Sequence, residues 1–176
     1  MATAPEAAAR PALERLAGHY LPDLVYGAND GIITTFAVVS GVVGASLSQR
    51  VIVILGLANL VADGFSMGAS NYLARRSHPE QELAERGDAA RHGLATILGF
   101  VVAGVIPLLA YLVPMSAGAE FPTAIALAAA ALFAVGAART FVTRRGFVRS
   151  GVEMLLVGSL AAAVAFAIGS FASTFA

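Results

Sequence analysis

The chain has 176 residues, of which 58% are hydrophobic and only 12% are charged, and its mean hydropathy is +0.79. This composition is typical of a protein that crosses a membrane several times, and it excludes an ordinary soluble domain. Eleven acidic residues balance eleven basic ones, and all eleven basic ones are arginines. The chain has no cysteine, which excludes disulfides and thiolate metal ligands.

Long apolar runs predict five membrane-spanning helices, because about 20 apolar residues suffice to cross a bilayer. The spans are expected at 24–47, 51–74, 93–115, 121–142 and 150–174. Residues 1–20 should form an amphipathic segment on the membrane surface, and the short cytoplasmic loop 75–92 should contain a helix that leads into the third span. The sequence therefore predicts an all-α membrane protein with one transmembrane domain over residues 21–176.

The arginines are distributed unevenly between the two sides of these spans. Arg50 falls on one side, and the other ten arginines fall on the opposite side. Since arginine-rich segments stay in the cytoplasm, we expect the N terminus to be cytoplasmic. Five spans then place the C terminus outside.

Pairs of glycines four residues apart mark the first two spans, at Gly27 and Gly31 and again at Gly64 and Gly68. Such pairs let helix backbones approach closely within a bilayer, but they do not specify the partner helix. Five short helices can hardly enclose a hydrated path alone. A homodimer with its path at or near the subunit interface is therefore expected.

Two aspartates lie inside the first two spans. Asp30 lies near the start of the first apolar run, and Asp63 lies close to the middle of the second. A carboxylate at this depth costs roughly 2.5 kcal/mol or more and usually marks the path of an ion or a substrate. The alternative for Asp63 is a structural hydrogen bond or an ion pair, for example with Arg139. We favour the first interpretation, which indicates the movement of a charged solute.

Candidate metal ligands recur every fourth position along the second span, at Asn59, Asp63, Met67 and Asn71, and so form one stripe on the helix. Carboxylate and amide oxygens suit hard or borderline divalent cations, and a thioether adds a softer ligand. Fe²⁺ and Mn²⁺ fit such a set. By its position alone, Met67 is more typical of packing than of metal binding.

Glu153, just inside the fifth span, is a further candidate metal ligand. A pair with Arg149 or Arg145 explains this carboxylate equally well, since all three residues lie near the cytoplasmic face.

In the loop 75–92, acidic residues and one histidine fall partly on one helical face and could recruit a cation at the entrance. They are Glu82, Glu85, Asp88 and His92. A solvated helix surface is the commoner explanation of such a pattern. His19 and His78 are interpreted as surface residues without partners.

No catalytic or nucleotide-binding motif occurs in the chain, so an enzyme is not expected and no cofactor is required. Any active transport must therefore draw on ion gradients rather than on ATP bound by this chain. A binding site for nucleic acid is not expected either.

The segment Tyr26–Phe36, which reads Tyr-Gly-Ala-Asn-Asp-Gly-Ile-Ile-Thr-Thr-Phe, resembles the first-helix signature of the vacuolar iron transporter family. The similarity continues through Gly56–Leu73 and returns in the last span at Arg149–Ala163. The resemblance implies a five-helix homodimer that exports ferrous iron or manganese from the cytoplasm in exchange for protons. It also implies that Asp30 and Met67 bind metal within the membrane, because family members carry an aspartate and a methionine there.

Two departures from the family pattern stand out. Many relatives have Gly-Glu-Tyr where this chain has Ser70-Asn71-Tyr72, so one acid is missing, and we expect Asp63 to compensate for it. Many relatives also carry a glutamate-rich cytoplasmic domain that collects metal, where this chain has only the loop 75–92. The chain is thus expected to be a short form that uses its few acids, receives metal from another protein, or has changed substrate.

We therefore expect a homodimeric transporter in which Asp30 and Asp63 bind Fe²⁺ or Mn²⁺ and take up protons as the metal leaves. Met67, Asn59, Asn71 and Glu153 complete the expected set of ligands. The membrane is expected to be a bacterial inner membrane. Two alternatives remain: a passive channel or carrier for another cation, and a membrane assembly or regulatory subunit that transports nothing.

Overall fold

The computed structural model describes residues 12–77, 83–140 and 146–175, and for 12–18 and 83–87 it describes the backbone alone. Five helices lie in these ranges: α1 Ala12–Gly44, α2 Gln49–Arg76, α3 Leu83–Leu112, α4 Glu120–Ala138 and α5 Phe147–Ala172. The described ranges contain no strand. The predicted all-α fold is confirmed.

Four of the helices are long and apolar enough to cross a membrane, namely α2, α3 from Asp88 onward, α4 and α5. Helix α1 is not among them, although its 33 residues would reach across. Polar residues such as Asn29, Asp30 and Thr34 interrupt its apolar run. The chain is a multi-pass membrane protein, and membrane crossing by α1 stays a prediction.

The helices continue further than the predicted spans at the arginine-rich side. Helix α2 ends only at Arg76 and α3 begins at Leu83, so much of the predicted loop 75–92 is helical. Likewise, the part of the N-terminal segment that the structure describes, from Ala12, is continuous with α1. The long α1 and α3 thereby carry side chains beyond the apolar region on the same side of the bundle.

Helix α1 lies at the centre of the bundle and packs against α3 and α5 along its length. It runs parallel to both, because Gly27 and Gly31 face Thr96 and Phe100 of α3, and the far end at Gly44 faces the far end of α5. Helix α2 packs mainly on α3. The apolar part of α1 therefore lies at the same depth as the spans α3 and α5.

The glycine pairs of the sequence serve this packing within one chain. A Cβ atom on Gly31 would lie 2.2 Å from the carbonyl oxygen of Phe100, and one on Gly27 would lie 2.2 Å from that of Thr96. The second pair, Gly64 and Gly68, likewise faces α3. The two glycine pairs thus bring α1 and α2 onto α3 of the same chain, and they do not indicate a dimer.

We expect Gly31→Ala to lower the free energy of unfolding by about 1–3 kcal/mol, because overpacking here can be relieved only by separating two backbones. Gly41→Ala, on the same helix, is the matched control, since its Cβ would lie 3.5 Å from the nearest atom, an ordinary contact. Thermal unfolding in detergent, followed by far-ultraviolet circular dichroism, measures both variants. Equal melting temperatures would contradict the close approach of α1 and α3.

Candidate metal-binding site

The two membrane aspartates come from neighbouring helices. Asp30 on α1 and Asp63 on α2 are both partly buried, and their carboxylates are close enough to interact electrostatically. Asp63 lies about 20 Å along the helix axis from the end of α2 at Arg76, given a rise of about 1.5 Å per residue. The structure therefore places the two acids on neighbouring helices, within electrostatic range of each other and inside the predicted membrane region.

Neither carboxylate accepts a hydrogen bond or pairs with a cation in the part of the chain that the structure describes. The ion pair considered for Asp63 is thus not found there. Thr34 does not supply a donor, because its hydroxyl donates to the backbone carbonyl of Asp30 at 2.8 Å. Two interacting acids without a counter-charge form a place where a cation would be stabilised.

Two asparagine side chains next to these acids are also unsatisfied. Asn29 precedes Asp30, and Asn59 lies one helical turn from Asp63. Within the described residues, the buried atoms Oδ1 of Asn29 and Nδ2 of Asn59 have no hydrogen-bond partner. An unpaired buried polar group costs about 1–3 kcal/mol. The acceptor Oδ1 of Asn29 suits a cation or water, whereas the donor Nδ2 of Asn59 suits only an acceptor such as water.

The other two members of the stripe on α2 lie in different surroundings. Met67 is partly buried and packs against the hydrophobic core, one turn from Asp63 toward the end of the helix. Asn71, a further turn along, is engaged in hydrogen bonds: its Nδ2 donates to Asp23 Oδ1 and to Thr96 Oγ1, both at 2.7 Å. Its Oδ1 accepts a bond from Arg75 Nε at 3.0 Å. The structure therefore joins Asn71 to a second cluster.

Glu153 is held at a third place. Its carboxylate accepts a hydrogen bond from Arg149 Nε at 3.3 Å, one turn earlier on α5. Helix α5 packs on α1 and α4. The structure brings Glu153 into an ion pair near the start of α5, the pairing that the sequence offered as the alternative to metal binding.

The second cluster lies where the N-terminal parts of α1 and α3 meet the end of α2, and we name it the helix-end cluster. It consists of His19, Tyr20, Asp23, Asn71, Arg75, Asp88 and His92. At its centre is Asp23, which is 6% exposed. Its carboxylate accepts bonds from His92 Nδ1 at 2.5 Å and from Arg75 Nη2 at 3.2 Å, in addition to that from Asn71.

Asp23 lies just before the predicted first span and remains charged in this setting. Burial raises the pKa of Asp23, but hydrogen bonds from His92 and Asn71, together with the charge of Arg75, outweigh that effect. The pKa is held below its ordinary value. The network therefore ties three helices together through one buried carboxylate.

A second acid, Asp88, occupies the outer part of the helix-end cluster. Its Oδ2 lies 2.6 Å from His19 Nε2, and Tyr20 donates its hydroxyl to Oδ1. The His92 ring lies between the two acids, with Nε2 at 3.1 Å from His19 Nε2 and 3.5 Å from Asp88 Oδ2. Three ligand atoms from two helices thus converge on one point.

The sequence anticipated only part of this cluster. The spacing of Asp88 and His92 correctly predicted that they share a helical face, whereas the side chains of Glu82 and Glu85 and all of His78 lie outside the described residues. The interpretation of His19 as a residue without a partner was wrong, because it contacts Asp88. Asp23 was missed, although it lies two turns before Asp30 and therefore on the same face of α1.

Comparison with known proteins gives a family. A family model described as the VIT family matches residues 21–92 and 79–170, which together cover most of the chain. A rice (Oryza sativa subsp. japonica) protein named vacuolar iron transporter homolog 5 is 29% identical over 164 residues, covering 85% of this chain and 79% of the relative. Vacuolar iron transporter 1 of Arabidopsis thaliana is 24% identical over 214 residues, covering 86% of each.

The relatives differ in how much of them this chain represents. A Plasmodium berghei protein named vacuolar iron transporter is 43% identical over 67 residues, but the chain spans only 24% of that relative's length. The Arabidopsis alignment extends over 214 positions, more than the 176 residues of this chain, so that relative carries residues that this chain lacks. The names describe transporters rather than enzymes. With the family model matching well over half of its residues, the chain belongs to the VIT family.

Proposed function

We propose that this chain transports a divalent transition metal, Fe²⁺ or Mn²⁺, across the membrane. The observation that carries the proposal is the pair Asp30 and Asp63, two interacting acids without a counter-charge among the described residues. Two negative charges held together in an apolar region are costly, and a divalent cation bound between them removes that cost. The iron transporter names of several relatives support a metal ion as the solute.

The surrounding ligands favour a borderline ion. Carboxylates and the amide oxygens of Asn29 and Asn59 would bind most divalent cations, including Mg²⁺ and Ca²⁺. Met67 adds a thioether one turn from Asp63, and sulfur favours a softer ion over Mg²⁺ and Ca²⁺. In this proposal Asn71 and Glu153 remain in their hydrogen bonds and do not contact the transported ion.

The direction and the energy source are also part of the proposal. We assign the helix-end cluster to the cytoplasmic side because most arginines lie at that end of the helices. Metal then moves from the cytoplasm toward the opposite side. Where the side opposite the cytoplasm is acidic, protons neutralise Asp30 and Asp63. A neutral carboxyl is a poor ligand, so protonation releases the metal there. The bound protons then move toward the cytoplasm in exchange.

We further propose that the active form is a homodimer. Helices α2 and α5 expose large apolar side chains such as Phe65, Val61 and Leu160, each about two thirds exposed or more. These faces can be covered by lipid or by a second copy of the chain. The relatives do not support the predicted bacterial inner membrane, because they are named as transporters of the vacuole.

The test is the uptake of Fe²⁺ or Mn²⁺ by proteoliposomes that contain a pH-sensitive dye, with and without an imposed proton gradient. The proposal predicts metal flux that saturates, that accelerates with an opposing proton gradient, and that moves protons the other way. Metal flux without proton movement would favour a passive channel. No flux of either ion through correctly folded protein would favour the non-transporting subunit.

A further inference from the structure

We propose that His19, Asp88 and His92 form a second metal site, which binds a divalent transition metal at the entrance of the path. The site is separate from Asp30 and Asp63, and it uses the helix-end cluster that the transport mechanism above leaves unassigned. Its ligand atoms are Nε2 of His19, Nε2 of His92 and Oδ2 of Asp88. Its role as an entrance rests on the proposed transport, whereas metal binding there does not.

The positions of the three ligand atoms already suit a metal ion. They are separated by 2.6, 3.1 and 3.5 Å. A circle through three points at these distances has a radius of about 1.8 Å, so an ion about 1 Å above their plane would lie about 2.1 Å from each atom. That is the usual length of a bond from zinc to histidine nitrogen or carboxylate oxygen.

The buried acid Asp23 orients one of these ligands. Its carboxylate can only accept, so His92 Nδ1, at 2.5 Å, carries the proton of that bond. The Nε2 atom of a neutral His92 then presents its lone pair to the site. A carboxylate bonded to the far nitrogen of a metal-binding histidine is a recurring support of such sites. The Asp23–His92 pair therefore prepares His92 for metal.

The outer ligands are similarly prepared and remain accessible. Tyr20 donates its hydroxyl to Oδ1 of Asp88, so that Oδ2 faces the histidines. The His19 side chain is 55% exposed, whereas that of His92 is 5% exposed, so an ion would enter past His19. Arg91 Nη1 lies 3.7 Å from Oδ1 of Asp88 and opposes a cation, although it is largely exposed and therefore screened.

Two imidazoles and one carboxylate select the kind of ion. Imidazole suits Fe²⁺, Zn²⁺, Ni²⁺ and Cu²⁺, and two histidines with one carboxylate and open positions are typical of Fe²⁺ sites. Mg²⁺ and Ca²⁺ prefer oxygen ligands alone.

The site is positioned to pass metal to the membrane acids. Its supporting residue Asp23 lies two turns before Asp30 on α1, and its neighbour Asn71 lies two turns after Asp63 on α2, with Met67 between. The axial distance from Asp23 to Asp30 and from Asn71 to Asp63 is about 10–12 Å, and that from the ligand His19 to Asp30 is about 16 Å, at a rise of about 1.5 Å per residue. A short chain without a large metal-collecting domain would thereby have a loading site of its own.

The test is a titration of the purified full-length protein with Co²⁺, a coloured ion whose absorption bands report nitrogen ligands and coordination number. His19→Ala and Asp88→Asn should each weaken Co²⁺ binding at this site about 10-fold or more, since each removes a direct ligand. Glu120→Gln is the matched control, because Glu120 bonds to the amide of Gly118 at the start of α4, at the other end of the bundle. Its Co²⁺ affinity should equal that of the unmodified chain.

Two further measurements separate the site from the fold and from transport. His19→Ala should melt within a few degrees of the unmodified protein without metal, because its partly exposed pair with Asp88 contributes about 1 kcal/mol or less. Such a result excludes misfolding as the cause of lost binding. The double variant Asp30→Asn/Asp63→Asn should keep the histidine-bound Co²⁺ while losing transport. In vesicles, His19→Ala should raise the Fe²⁺ or Mn²⁺ concentration for half-maximal flux and leave the maximal rate intact.

Co²⁺ spectra that are identical in the unmodified, His19→Ala and Asp88→Asn proteins would overturn the site. If His19→Ala lost Co²⁺ binding but kept the same Fe²⁺ or Mn²⁺ concentration for half-maximal flux, the role of the site as an entrance would be overturned. If the unmodified protein bound Co²⁺ as described and transported nothing, the proposed function would fail while the site stood.

Discussion

Replacing Asp30 or Asp63 by asparagine is expected to reduce metal flux in proteoliposomes by at least about 10-fold, the equivalent of about 1.4 kcal/mol in binding. Asparagine keeps the size of the side chain but removes the charge that attracts a divalent cation. It also removes the group that would accept a proton when the metal leaves. Initial rates of Mn²⁺ uptake, normalised to the amount of inserted protein, measure the effect.

The same two variants should not be less stable than the unmodified chain. Asp30 and Asp63 repel each other, and neither has a counter-charge in the described structure. Neutralising either acid should therefore leave the melting temperature unchanged or raise it, a behaviour typical of functional rather than structural residues. A variant that lost both flux and stability would show that its acid holds the fold together, and normal flux in a folded variant would contradict the metal site.

In contrast to the variants of Asp30 and Asp63, Asp23→Ala should be less stable than the unmodified chain. We expect it to lower the free energy of unfolding by about 3–5 kcal/mol. The variant leaves His92 and Arg75 without their shared acid in a mostly buried position. Far-ultraviolet circular dichroism in detergent gives the melting temperature. Arg149→Ala is the control: it breaks the exposed Arg149–Glu153 pair, which should contribute about 1 kcal/mol or less.

Acid should reveal the same network. Because the folded pKa of Asp23 is below its ordinary value of 3.8, the bonds of Asp23 stabilise the protein fully above that value. This contribution is lost as the pH falls through the lower, folded pKa. Between about pH 5 and pH 3 the unmodified protein should therefore lose more stability than Asp23→Asn, which has no charge to lose. Parallel acid titration curves would contradict the charged state of Asp23.

The fold follows closely from the sequence because hydropathy decides most of it. Runs of apolar residues in lipid must satisfy their own backbone hydrogen bonds, and helices do so regardless of the partner. The glycine pairs indicated close packing but not which helix would approach, and Gly27 and Gly31 turned out to face α3. Which helix packs on a glycine pair depends on how well the surfaces of both helices fit together, and the local sequence of one helix does not specify that fit.

The site residues could be predicted where polar side chains recur at regular spacing along one helix. They could not be predicted where the site is assembled from side chains of several helices. The stripe on α2 led to Asp63, Met67 and Asn71, yet Asn71 is bound to Asp23 of α1, which the spacing on α2 cannot reveal. His19 and His92 are 73 positions apart, and only the parallel packing of α1 on α3 brings their rings together. Tertiary structure supplies such contacts.

The central claim is that Asp30 and Asp63 bind the transported metal, and an anomalous-difference map from crystals grown with Mn²⁺ tests it most directly. The account predicts a peak within coordination distance of carboxylate oxygens of both residues. Crystals of Asp63→Asn grown in the same way should lose that peak. Mn²⁺ density confined to the helix-end cluster or to the protein surface, in crystals of the unmodified chain, would contradict the claim.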